Sequence, residues 1–101
     1  PSFKWLDTHE RALEAGVKVH GCSVHFVRSD VDSGPIIAQA AVAVLDEDDA
    51  DSLATRVLEQ EHVIYPLALR LVASGRVRVI DERVEIGGAG DAPPALVVPA
   101  V

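Results

Sequence analysis

The chain has 101 residues, enough for one small domain or a piece of a larger one, and its 49% hydrophobic content with a mean hydropathy of +0.21 excludes disorder throughout. Nine basic against sixteen acidic residues leave a net charge of -7, a surface that repels phosphate backbones and excludes nucleic acid as a direct partner. The lone Cys22 excludes an internal disulfide framework, and the longest apolar stretch, Ala40 to Leu45, falls far short of the roughly 20 residues that span a bilayer, so the expectation is a cytoplasmic chain with no membrane partner.

Residues 1–7 show no clear period and read as an entering loop. Asp7 can cap a short helix over about 8–15, with Glu10 three residues on in the manner of a capping box and Gly16 as its stop. Residues 21–28 and 36–45 are rich in Val, Ile and Ala on both alternating faces, the pattern of inner strands covered on two sides. Between them, 29–35 is turn chemistry throughout, with Gly34 free to adopt unusual backbone angles and Pro35 confined to the start of the next strand.

Asp46, Asp48, Asp49 and Asp51 crowd the entry to a long periodic segment, where negative charge complements a helix N-terminus. The spacing of Leu53, Val57, Ile64, Leu67 and Leu71 predicts one apolar stripe on a helix over about 49–74, ended by Gly75 and kinked near 62–66 by Pro66. Val77, Val79, Val84 and Ile86 flank 81–83 as an exposed hairpin. The glycine- and proline-rich residues 87–101 read as a flexible tail, distinct from the ordered unit of 1–86.

Glu61 is the most informative residue on internal grounds. Its helical neighbours are Val57, Leu58, Ile64 and Tyr65, so the carboxylate projects from an apolar stripe, and a buried carboxylate usually exists for a partner. A salt bridge to a local cation is the plain alternative, although Arg56 lies on another side of the helix. Asp32, in the shaped loop beyond a strand, suits proton transfer but is equally a turn former. The histidines fail the metal test: His20 and His25 point to opposite faces of one strand, while His9 and His62 sit on separate helices without ligands at zinc spacing. Ser23 lacks a nucleophile elbow, so Ser23, His25 and Asp32 do not read as a triad, and Cys22 reads as a small buried hydrophobe.

The run from Gly21 to Val27, with His25 within it, and then Asp32-Ser33-Gly34-Pro35-Ile36-Ile37-Ala38-Gln39 closely resembles the signature of the folate-dependent formyltransferases. Residues 56–66, including Glu61-His62-Val63-Ile64-Tyr65-Pro66, resemble the glycinamide ribonucleotide branch of that family, as do Pro1-Ser2-Phe3-Lys4 and Leu6 to Leu13. The resemblance covers about 1–86. It implies the C-terminal half of a Rossmann-like α/β fold, with a mixed sheet, one long and one short helix and a C-terminal hairpin.

The activity it implies is transfer of a formyl group from 10-formyltetrahydrofolate to glycinamide ribonucleotide, without a metal. By resemblance, Asp32 assists proton transfer, with His25 beside it and Glu61 on the amine end of the ribonucleotide. The turn of Arg28, Ser29, Asp30, Val31 and Asp32 offers backbone groups to the pteridine of the folate. The family's Asn-x-His pair and its phosphate-binding Gly-Ser-Asn loop lie upstream of the Pro-Ser seen here, so the N-terminal half of the same enzyme is an implied partner. Trp5 departs from the family's usual Gly. The alternatives are a formyltetrahydrofolate hydrolase, methionyl-tRNA formyltransferase, or a noncatalytic interaction module. Strands with open edges also predict self-association of the isolated chain.

Overall fold

A computed structural model describes residues 2–27 and 34–99, with side chains described from Thr8 onward. The order is α1 (Ser2–Ala15), β1 (Val19–His25), β2 (Ile36–Ala43), α2 (Ala50–Ala73), β3 (Val77–Ile80) and β4 (Arg83–Ile86).

The first helix begins at Ser2 rather than after Asp7, which corrects the loop reading of the opening residues. The only proline there is Pro1, and nothing from Ser2 to Asp7 interrupts a helix once its first turn has formed. Gly16 does end it, at φ 71°, a left-handed conformation that glycine adopts without steric cost.

β1 and β2 pair antiparallel, Val19 opposite Ala43 through Val24 opposite Ala38, with a register shift before His25 meets Ile36. Alternation puts His20, Cys22, Val24, Ala38, Ala40 and Val42 on one face. That face receives the helices: Val42, Val44, Leu53, Val57 and Ala12 form the core, joined by Leu13 and Cys22. The opposite face carries Val19, Gly21, Ser23, Gln39, Ala41 and Ala43, several of them exposed. The two-faced apolar pattern in the sequence is therefore covered on one side only by the described residues.

α2 is capped by reciprocal bonds: the Ser52 N–H donates to the Asp49 carboxylate (2.8 Å) and the Asp49 N–H to the Ser52 hydroxyl (3.0 Å). It runs without interruption through Pro66, ends on Ser74, and turns at Gly75, φ 74°. Its buried stripe is Leu53, Val57, Ile64, Ala68 and Leu71. Ala68 replaces the expected Leu67, which stays 36% exposed, because a step of four from Ile64 follows the helical period more closely than a step of three. Leu53 and Val57 are almost wholly inaccessible and anchor the helix on β2.

β3 and β4 form the expected hairpin, closed by Asp81 and Glu82 at φ 50° and 67°. The Arg76 guanidinium fastens the segment beyond it by donating to the carbonyls of Gly87 and Gly88. No helix is long and apolar enough to cross a membrane among the described residues.

Candidate active site around His25 and Glu61

Glu61 occupies the gap in the buried stripe of α2, four residues after Val57 and three before Ile64. It is half-buried, and burial pushes its carboxyl above the usual carboxylate range, with the His62 charge acting in the opposite direction. It stands close enough to Cys22 of β1 to affect that thiol, which burial first and Glu61 second push upward. The local salt bridge does not form, because Arg56 is committed elsewhere. Its guanidinium grips the Asp48 carboxylate with two bonds of 2.6 and 3.0 Å and also donates to the Ala43 carbonyl at 3.0 Å. Glu61 thus combines partial burial with no ion pair among the described residues, which makes it a candidate site residue.

His25 ends β1. Its Nδ1 lies 3.1 Å from the Phe26 carbonyl and 3.5 Å from the Gly34 N–H, while the Phe26 N–H donates to the Pro35 carbonyl at 3.0 Å. These contacts clamp the two ends of the connection between β1 and β2 together. The shorter contact favours a proton on Nδ1, donated to Phe26, which leaves Nε2 as an acceptor. Arg28, Ser29, Asp30, Val31 and Asp32 lie outside the described residues. The structure therefore places His25 at the end of β1, next to Gly34 where the described chain resumes, and Glu61 on the helix over β1. A cleft of about 490 Å³ is lined by Gly34, Pro35, Ile36 to Gln39 and the hairpin residues Glu82, Arg83 and Val84.

Two features escaped sequence reasoning. The Asp48–Arg56 pair joins the residue before the N-cap of α2 to its second turn, eight apart, a separation that no usual i, i+3 or i, i+4 helical spacing announces. His9, 3% exposed, sets its Nδ1 3.1 Å from Nε2 of His20, with the rings edge to face at 90°. Burial first and the neighbouring His20 second lower the pKa of His9. Among the described residues no group of three or more His, Cys, Asp or Glu is arranged to hold a metal ion.

The formyl transferase family matches residues 1–69, which include His25 and Glu61. The chain belongs to the formyl transferase family. Phosphoribosylglycinamide formyltransferase of Escherichia coli is 43% identical over 88 residues, covering 87% of this chain and 42% of the relative. The trifunctional purine biosynthetic protein adenosine-3 of Bos taurus is 56% identical over 79 residues, covering 78% of this chain and 8% of that protein. The solved phosphoribosylglycinamide formyltransferase of Anaplasma phagocytophilum superposes with a TM-score of 0.79 at 48% identity, over 90% of this chain and 45% of the other. A formyltetrahydrofolate deformylase of Pseudomonas syringae shares the fold at TM-score 0.73 and 29% identity, over 77% of this chain and 26% of the other. This formyl transferase chain thus spans less than half the length of these relatives, and its α/β architecture is the one expected.

Proposed function

We propose that the chain supplies the Asp32, His25 and Glu61 portion of a phosphoribosylglycinamide formyltransferase site. In the reaction, the glycinamide ribonucleotide amine attacks the formyl carbon carried on N10 of 10-formyltetrahydrofolate. The new C–N bond forms, the bond to N10 breaks, and the amine proton ends on N10. Asp32 relays that proton, a role that suits a carboxylate in the stretch between β1 and β2, whose described ends are clamped at His25, Phe26 and Pro35. Residues 28–32 line the pteridine of the donor.

Glu61 contacts the ribonucleotide, and this reading rests chiefly on one observation: a half-buried carboxylate on an apolar stripe with no ion pair among the described residues. The identity of 43 and 48% to two enzymes named phosphoribosylglycinamide formyltransferase, against 29% to the deformylase, favours that acceptor over water. The site is completed by the family's upstream portion, in the cytoplasm. The test is formyl transfer by this chain combined with such a portion. Product formation that requires glycinamide ribonucleotide supports the proposal, and formate release indifferent to it identifies a deformylase instead.

A further inference from the structure

The segment that follows β4, which the sequence reads as a free tail, is held at two places that lie far apart. At its root the Gly87 N–H donates to the Arg76 carbonyl at 2.9 Å, and the Arg76 guanidinium donates back to the carbonyls of Gly87 and Gly88. Gly88 turns away at φ 69°, so close to that guanidinium that a Cβ would meet it at 3.3 Å. Arg76 stands just past the C-terminal end of α2 and donates its own N–H to the Leu71 carbonyl. Every residue from Gly87 to Val97 is exposed, and Val98 is then half-buried. There Leu96 to Pro99 form one wall of a cavity of about 610 Å³, and Lys18 with Ala43 to Glu47 forms the other. That second wall is the corner where β2 ends and the chain turns into α2.

The two places stand roughly one helix length apart. The 24 residues of α2 span about 36 Å, and the ten steps from Gly88 to Val98 reach at most about 33–36 Å. A connection of that length joins them only when it is close to fully extended. Pro93 and Pro94 suit that state, since each fixes φ near the polyproline value and asks for no backbone acceptor. We propose that residues 89–99 are a taut strap, rooted on Arg76 at one end of α2 and clipped by Val98 over the corner at the other. The clip shields the edge of the core at Val44, 8% exposed, and the Leu45 N–H that donates to Asp48 ahead of the N-cap. It is made by few side chains across a hollow, so it opens locally while Leu53 and Val57 stay packed. The strap belongs to the fold itself and acts whichever reaction the chain serves.

The experiment follows amide exchange in the full chain, taken relative to the intrinsic rate. Val98→Ser removes the apolar anchor and should lower protection of the corner amides, residues 44–48, by about fivefold or more, with the centre of α2 unchanged. Val97→Ser, at a position 76% exposed, should match the parent. Reach supplies the second arm. Deleting residues 90–92 leaves seven steps, at most about 25 Å, so it should release the corner as Val98→Ser does. Three residues added at the same place should leave the clip closed, because slack costs a loop little. Every change falls outside the helices and strands, so circular dichroism should match the parent throughout. Unchanged protection at 44–48 in Val98→Ser, an equal loss along the whole of α2, parent-like behaviour of the deletion, or an insertion as damaging as the deletion would each overturn the strap.

Discussion

The Arg56 guanidinium meets the Asp48 carboxylate in a two-pronged pair, 2.6 Å from Nη1 to Oδ2 and 3.0 Å from Nη2 to Oδ1. Asp48 is 3% exposed at its side chain, and it also accepts from the Leu45 N–H and the Ser52 hydroxyl. Hydrogen bonding from Arg56 is the largest reason its carboxyl sits far below the usual range. Asp48→Ala leaves Arg56 and the Leu45 N–H without their acceptor and is expected to cost about 2 kcal/mol, read as a lower urea midpoint. Because the folded-state pKa is depressed, this contribution is complete above the unfolded value near 4 and is lost as pH falls below it. In Asp48→Asn the acid limb of stability against pH should flatten.

The His9–His20 contact titrates in the opposite region of the scale. With the folded pKa of His9 lowered, the unfolded chain binds more protons below about pH 6.5. The docking of α1 on β1 is therefore fully stabilised above that pH and weakens as pH falls through the window down to the folded pKa. Hydrogen exchange in α1, taken relative to the base-catalysed intrinsic rate at each pH, should show lower protection at pH 5.5 than at pH 7.5. His9→Gln should remove most of that difference.

Gly21 is irreplaceable for a local reason. A Cβ built on it would lie 2.0 Å from the Ala40 carbonyl oxygen, which is backbone in the paired strand and has nowhere to retreat. Gly21→Ala should separate β1 from β2 and destabilise the chain by about 2–4 kcal/mol, a large effect for one methyl group. Thermal denaturation checks it, with Gly90→Ala, where nothing lies within 4 Å, as the neutral control.

In the assembled enzyme, Asp32→Asn is expected to lower kcat by about 10² or more with folate binding retained, the usual contribution of a general acid or base. Near-normal kcat would remove Asp32 from the mechanism. Glu61→Gln should raise the KM for the ribonucleotide and leave that for the folate unchanged. Since burial raises the carboxyl of Glu61, ribonucleotide affinity should begin to fall at a higher pH on acidification than an exposed glutamate would allow.

Local signals in the chain carried much of the fold. The capping chemistry before Ala50, the glycines at 16 and 75 and the period of α2 act within a few residues, and the elements end close to where those signals stand. Glu61 was legible for the same reason: an acid interrupting an apolar helical period is visible in one dimension. The Asp48–Arg56 pair and the His9–His20 contact were not, because the first depends on how the chain enters α2 and the second on how the turn after α1 returns the chain to β1. The start of α1 failed differently. Residues 2–7 lack a period yet are helical, because period reports what a helix packs against and not whether it forms. The catalytic reading of Asp32 came from resemblance, since a turn aspartate looks the same whether or not it moves a proton.

The cap of α2 also sets an order of events. Its bonds link residues only three apart, Asp49 and Ser52, whereas β1 and β2 are separated by ten intervening residues. Short closures form first, within about a microsecond for a helical segment. Once the helix has started, Arg56 reaches back to the Ala43 carbonyl and ties the first turns to the end of β2, before that strand has found its mate. Residues 48–56 are therefore the expected seed from which assembly spreads. Kinetic studies should find Asp49→Ala slowing refolding while Ile86→Val acts on unfolding alone.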